Sequence, residues 1–188
     1  LARWVGVELM GIYSISNAIT RIFEVIGKMG LDQGVLRAIN RSEINIDKIE
    51  IIKSALKMGF LSSLFFMCIQ ILISHYLATN IFDSIQLGTV IMIHAFSLPL
   101  YIIIHIASHS IQAYKILKYK IIVNEIQNPL ILLLSMLFIY LFISVEHSIT
   151  YPVVIASFFG LLTINIFLRK ITTINIFSIK NSRFNKEL

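Results

Sequence analysis

The stretch SIQLGTVIMIHAFSLPLYIIIHIASHSIQAY, at residues 84–114, contains no Asp, Glu, Lys or Arg. Three more uncharged runs lie at residues 58–82, 126–145 and 147–168. Because an α-helix rises about 1.5 Å per residue, each run is long enough to cross a hydrocarbon core about 30 Å thick. The sequence therefore predicts an all-α protein of the polytopic membrane class.

The composition of the whole chain agrees with this class. Of its 188 residues, 57% are hydrophobic and only 14% are charged, and the mean hydropathy is +0.83. Because a soluble domain carries about 25% charged residues, this chain cannot cover a water-exposed surface of its size. A soluble enzyme, a disordered tail and a secreted disulfide scaffold are excluded as descriptions of the whole chain. Its single cysteine, Cys68, lies inside an apolar run.

Five transmembrane helices are predicted, and together they form one helical bundle over residues 1–170, followed by a polar cytoplasmic tail or linker at 171–188. The spans lie at about residues 9–29, 54–75, 87–114, 121–144 and 149–168. The first span is the least apolar, because Arg21, Glu24 and Lys28 fall within it. Pro99 interrupts the backbone hydrogen bonding of the third span and predicts a kink there.

The distribution of basic residues predicts the orientation of the chain. Its net charge is +6, and fourteen of its sixteen Lys and Arg residues fall on one side of the predicted spans. By the positive-inside rule, the basic loops and the C-terminus are cytoplasmic and the protein is a multi-pass component of the cell membrane. Membrane topology explains the positive charge, so no nucleic-acid partner is predicted.

One face of the first predicted helix is polar, because Ser14, Asn17, Arg21, Glu24 and Lys28 follow each other at intervals of three or four residues. A charge at the centre of a bilayer costs roughly 2.5–3.5 kcal/mol and needs a partner or water. One hypothesis is that Arg21 binds an anion in a polar cavity, with Glu24 as its resting partner. The other is that an Arg21–Glu24 pair joins helices while Lys28 reaches the cytoplasmic surface.

A second polar face follows the third predicted helix, at His94, Tyr101, His105, Ser108 and Gln112. Its histidines either hydrogen-bond to neighbouring helices or couple transport to protons. His105 and His109 have metal-ligand spacing, but no carboxylate accompanies them, so no metal is predicted. The sequence contains no nucleophile–base set, phosphate loop or carboxylate pair. We therefore predict no cofactor and no enzymatic activity.

Several short motifs resemble those of polysaccharide-biosynthesis flippases, which belong to the multidrug/oligosaccharidyl-lipid/polysaccharide exporter superfamily. Residues 5–14, VGVELMGIYS, are similar to a Gly-rich stretch at the start of a helix in those proteins, although Val7 stands where they commonly have Pro. Residues 30–37, GLDQGVLR, resemble the segment after their second helix. Residues 112–115 and 118–129 are similar to the connection between their fourth and fifth helices.

The resemblance implies that the chain covers the second to sixth helices of a transporter with about twelve to fourteen, and that a second helical bundle of the parent protein lies outside residues 1–188. Such transporters move lipid-linked oligosaccharides, usually linked through undecaprenyl diphosphate, between the leaflets of the bilayer by alternating access. Under this resemblance, Arg21 neutralises the diphosphate in the substrate cavity. Asn17, Glu24 and His105 are the further substrate-cavity candidates.

The sequence leaves three alternative functions open. A multidrug or cation exporter of the same superfamily would need acidic cavity residues, and Arg21 and Lys28 argue against a cationic substrate. A membrane-embedded enzyme of envelope assembly would carry charged clusters in its extracytoplasmic loops, which are short in this sequence. A small non-catalytic membrane subunit, complete at five helices, is the third.

Overall fold

The computed structural model describes residues 6–42, 44–145, 147–172, 174 and 176, and this part of the chain is helical without β-strands. Its α-helices are α1 (Val7–Lys28), α2 (Leu31–Arg41), α3 (Asn45–Tyr76), α4 (Ile85–Ala95), α5 (Leu98–Ala113), α6 (Leu117–Ile121), α7 (Asn128–Phe142), α8 (His147–Thr150) and α9 (Pro152–Thr172). A π-helical turn, Leu77–Ile81, continues α3, and another, Ile122–Gln127, joins α6 to α7. The all-α prediction is confirmed.

Three continuous helical segments are long and apolar enough to cross a membrane: Asp47–Ile81, Leu117–Phe142 and His147–Thr172. The helices α4 and α5 form a fourth candidate if this pair, bent by 41°, is one span. These segments correspond to four of the five predicted spans. The remaining one, α1, matches its predicted helix within two residues at each end but is not among these candidates. Its charged residues lower its hydropathy, so a crossing by α1 stays a prediction.

The predicted polar tail at residues 171–188 lies mostly outside the described residues. The last helix, α9, extends two residues past the predicted end of the bundle, to Thr172. The backbone N–H of Ile176 donates to Asn165 Oδ1 at 2.9 Å, so the chain turns back onto α9 at this point.

Two prolines account for the bend between α4 and α5 and for the π-helical turn before α7. The ring of Pro99 clashes with the carbonyl four residues before it, and α4 ends at that residue, Ala95. Pro99 then lies in the first turn of α5, where its missing N–H costs nothing. Pro129 likewise lies in the first turn of α7. The carbonyl that its ring would meet belongs to Glu125, four residues before it, and Glu125 lies in the wider π-helical turn that precedes α7. The kink predicted at Pro99 is confirmed.

Between the first two predicted spans the structure has a helix that the sequence analysis did not assign. Met29 and Gly30 both have left-handed backbone conformations, with φ of 48° and 75°, and they end α1 and separate it from the next helix. The helix α2 follows and buries Leu31, Val35 and Ile39 in the main apolar core. These residues are four apart, which is the spacing of an amphipathic helix and could have revealed α2.

Side-chain contacts fix the direction of each helix in the bundle. Thr20 and Gly27 of α1 approach Gln70 and Ser62 of α3, so these two helices are antiparallel. The helices α4 and α5 follow α1 in parallel, because Ser16 contacts His94 and Glu24 contacts His105.

The segment α6–α7 and the helix α9 continue the alternation of helix directions. Asn124 contacts Ser108 of α5, and Lys120, earlier in the segment, contacts Gln112, later in α5. Gln127 contacts Thr163 of α9, and the earlier Tyr119 stacks on the later Phe167. The segment α6–α7 is therefore antiparallel to both α5 and α9. As a result, the C-terminal ends of α1, α5 and α9 lie together with α2, α6 and the start of α3. We call this the basic end, because it carries Lys28, Arg37, Lys118, Lys120 and Arg169.

Gly88 allows α4 to pack closely against the π-helical turn that ends α3. A Cβ at Gly88 would lie 2.8 Å from the Cβ of Ala78, which cannot rotate away. We expect Gly88→Ala to lower the free energy of unfolding by about 1–3 kcal/mol. The matched control is Gly11→Ala in α1, where a Cβ meets no heavy atom within 4 Å. Equal unfolding free energies of the two purified variants would contradict this close approach.

Cys68 tests whether α3 lies in lipid. Its side chain is exposed on the face of α3 that turns away from the bundle, within the candidate span. We expect a membrane-impermeant maleimide to leave Cys68 unlabelled in open membrane fragments until detergent is added. In a Cys68→Ala background, Lys118→Cys at the basic end supplies the accessible control. Labelling of Cys68 at the rate of this control would show that the exposed face of α3 meets water.

Candidate functional site

A buried carboxylate joins the polar faces of α1 and α5. Glu24 is 7% exposed, and its Oε1 lies 3.0 Å from Lys28 Nζ and 3.1 Å from His105 Nε2. Lys28 lies one turn beyond Glu24 on the same face of α1, while His105 approaches from α5. We call these three residues the charge cluster. A carboxylate in an apolar bundle needs such donors, because desolvation penalises an unpaired charge.

The expected pair between Arg21 and Glu24 is wrong. The stripe of α1 that packs into the bundle contains Ile12, Ser16, Thr20, Glu24 and Gly27. Arg21 lies beside this stripe and is exposed, and within the described residues no ion pair joins its guanidinium to the carboxylate. The two basic neighbours of Glu24 satisfy the carboxylate instead. The expectation that Lys28 only reaches the surface is also wrong, since it bonds to Glu24.

The four predicted cavity residues are therefore split between two environments. Glu24 and His105 belong to the charge cluster, whereas Arg21 is exposed and Asn17 is half-buried on the outer side of α1. Arg21 is close enough to Tyr13 and Tyr101 to interact with them electrostatically. Across the described residues, Arg21 forms no ion pair with a carboxylate.

A neutral hydrogen-bond network lies deeper in the bundle, beside the charge cluster. Ser16 Oγ donates to His94 Nδ1 at 2.9 Å, and His94 Nε2 donates to the Ile149 carbonyl at 3.3 Å. This pattern assigns a neutral imidazole with its proton on Nε2. Gln70 Nε2 donates to Thr20 Oγ1 at 2.8 Å and to the Ile91 carbonyl at 3.2 Å. For His94, the hypothesis of hydrogen bonding between helices is confirmed.

Sequence reasoning missed three members of this network: Ser16, Thr20 and Gln70. The first two could have been found, because Ser16, Thr20 and Glu24 repeat at intervals of four and form a polar stripe on α1. Gln70 stands alone in the apolar sequence of α3, and its importance appears only when α1 and α4 pack around it.

His109 continues the polar face of α5 towards the basic end. Its Nδ1 donates to the His105 carbonyl at 2.9 Å, and its Nε2 accepts from Lys120 Nζ at 3.3 Å. Within the described residues, no three His, Cys, Asp or Glu side chains lie close enough together to hold a metal ion.

Two concave surfaces lie away from the charge cluster. An apolar groove of about 610 Å³ runs between α7 and α9 and is lined by residues such as Leu134, Phe138 and Phe159. A smaller cavity of about 220 Å³, at the end opposite the basic end, is lined in part by Gln86, Thr89 and Tyr151. Neither surface is lined by Asn17, Arg21, Glu24 or His105, so these four residues do not form either one.

Comparison of the chain with protein-family models, with curated proteins and with solved structures finds no match. The resemblance to polysaccharide flippases therefore stays a prediction from the sequence motifs.

A double-mutant cycle tests the pairing of Glu24. We expect Glu24→Ala and Lys28→Ala to show a coupling energy of about 1 kcal/mol in unfolding of the purified protein, because they share one ion pair. The matched cycle of Glu24→Ala with Arg21→Ala should give a coupling below about 0.3 kcal/mol. Stronger coupling of Glu24 to Arg21 than to Lys28 would contradict the charge cluster.

Proposed function

We propose that this chain is part of a membrane transporter, a flippase, that moves lipid-linked oligosaccharide or polysaccharide precursors across the cell membrane by alternating access. The observation that supports the proposal is the exposure of Arg21 without an ion-pair partner in the described part of the chain. This arginine is an exposed cation on an otherwise largely apolar bundle, and no carboxylate in the described part of the chain neutralises it. An anionic group of a ligand would supply the missing charge.

A diphosphate is the anion that fits this position best. Crossing hydrocarbon with its charge unpaired is prohibitively costly for such a group, so the transporter must offer donors along the way. A guanidinium presents five N–H donors and binds phosphate oxygens in pairs. The nearby hydroxyls of Tyr13 and Tyr101 and the amide of Asn17 are further donors on the same side. The polyprenyl tail of the substrate would stay in the surrounding lipid.

The charge cluster connects the helix that carries Arg21 to α5. Because Glu24 Oε1 lies 3.1 Å from His105 Nε2, this contact joins the part of α1 that carries Arg21 to α5. In an alternating-access cycle we expect α1 and α5 to move as one unit against a second bundle. The chain itself performs no covalent chemistry in this proposal.

The charge cluster also argues against a multidrug or cation exporter. A cationic substrate would need an available carboxylate, and Glu24 is the buried acidic residue on the polar face of α1. Its Oε1 already accepts a hydrogen bond from Lys28 Nζ and lies 3.1 Å from His105 Nε2. On the exposed surface next to the charge cluster, α1 carries the positive charge of Arg21, whereas the exposed Glu8 lies in the first turn at the opposite end of the helix. The charge near the cluster therefore favours an anionic substrate.

Replacement of Arg21 in the full-length gene product tests the proposal in its native host. We expect Arg21→Ala to abolish export, so that surface polysaccharide is lost and lipid-linked precursor accumulates on the cytoplasmic side. Arg21→Lys should retain part of the activity, because the charge is kept while the paired geometry is lost. Both quantities are measured by extraction and mass spectrometry, with protein levels checked by immunoblot.

Arg37→Ala is the matched control, since Arg37 is an exposed arginine of α2 at the basic end. It should leave export unchanged. Normal surface polysaccharide in the Arg21→Ala strain would contradict the role of Arg21. An equal loss of surface polysaccharide in the Arg37→Ala strain would indicate that export depends on positive charge in general and not on Arg21.

A further inference from the structure

Among the cations at the basic end that pair with no described carboxylate, Lys120 is held by polar side chains of a neighbouring helix. Lys120 is half-buried in α6, and its Nζ donates to Gln112 Oε1 at 2.7 Å and contacts His109 Nε2 at 3.3 Å. Both acceptors belong to the C-terminal part of α5. They hold the ammonium group in a defined position between α5 and α6.

Neither of these partners of Lys120 carries a negative charge. Gln112 is an amide, and His109 uses its Nδ1 proton to bond to the His105 carbonyl, so its Nε2 is an acceptor. The amide of Gln33 lies 3.4 Å from the same Nε2. Asp32, the acidic residue of α2, accepts from the backbone N–H of Gln33 and forms no ion pair with Lys120. Within the described residues, the positive charge of Lys120 is therefore positioned but not neutralised.

The surface beside Lys120 combines positive charge with exposed apolar side chains. Leu117 is 51% exposed and Ile121 is 49% exposed, and they lie one turn apart on the same face of α6. Lys118 and Lys120 flank this face on its two sides. Tyr119 stacks on Phe167 with ring centroids 4.2 Å apart, which fastens α6 to α9. An inorganic anion would use the ammonium group of Lys120 alone, whereas an amphipathic anion would use this group together with the apolar side chains of Leu117 and Ile121.

We propose that Lys120, Gln112 and His109 form a binding site for the phosphate of an anionic phospholipid, with the acyl chains of that lipid covering Leu117 and Ile121. The ammonium group supplies charge to the phosphate, and its bonds to Gln112 and His109 keep it oriented. Basic sites between helices at the cytoplasmic surface are a known way to bind anionic headgroups. This site is separate from Arg21 and does not depend on the proposed transport function.

Lipid binding to the purified full-length protein tests the site. We would titrate the detergent-solubilised protein with phosphatidylglycerol and follow the bound lipid by native mass spectrometry, using phosphatidylcholine as the zwitterionic reference. We expect one phosphatidylglycerol to bind in preference, and Lys120→Gln to weaken it about tenfold, through loss of one charge-assisted contact. Lys118→Gln is the matched control, because it removes the same charge two residues away and should change affinity less than about twofold.

Two further measurements separate the loss of the Lys120 contact from misfolding, and lipid binding from simple phosphate binding. Lys120→Arg retains the charge and should retain most of the binding, which separates a lost contact from a misfolded protein. Inorganic phosphate at the concentration of the lipid should fail to displace phosphatidylglycerol, since it gains nothing from Leu117 and Ile121. Equal weakening by Lys118→Gln and Lys120→Gln, failure of Lys120→Arg to bind, or full displacement by inorganic phosphate would overturn the proposal.

Discussion

The constraint on which the bundle depends is the desolvation of the Glu24 carboxylate among apolar helices. Unpaired, this group would be strongly destabilising, because its charge would lose the stabilisation that water provides. The structure meets the constraint with Lys28 from the same helix and His105 from α5. One consequence is a fixed rotation of α1 about its axis. That rotation directs Ser16 and Thr20 inward and leaves Arg21 on the outside.

The polar side chains of α1 that point into the bundle also form hydrogen bonds with uncharged side chains of other helices. Ser16 and Thr20 contact His94 and Gln70, so α1, α3 and α4 are connected by side chains that use polar atoms on both partners. Such bonds stabilise membrane helices because apolar side chains gain little by leaving lipid for one another. Close approach at Gly27, Gly59, Gly88 and Gly160 supplies the accompanying van der Waals contact. Polar pairing and small residues thus act together in this bundle.

Arg21 and Lys120 remain outside these internal networks, and they occur at different places. Arg21 lies on the outer side of α1, beside tyrosines, while Lys120 lies at the basic end and is bound by groups without negative charge. Their surroundings suit different anions. We propose that Arg21 binds a transported anionic substrate and that Lys120 binds an anionic lipid at the membrane surface. The distinction rests on the exposed apolar side chains of α6 near Lys120 and on the electrostatic interaction of Arg21 with Tyr13 and Tyr101.

The sequence alone determined the helical class, four apolar segments with their approximate limits and the kink near Pro99, because these follow from local hydropathy, length and the missing proline N–H. The helix α2 could have been predicted from its spacing. The partner of Glu24 could not, because Arg21 and Lys28 are both within one turn of it. Only the packing of α1 against α5 selected Lys28 and His105, since the rotation of a helix is decided by all of its neighbours together. The contacts of Lys120 with Gln112 and His109 likewise appeared only when α6 folded against α5.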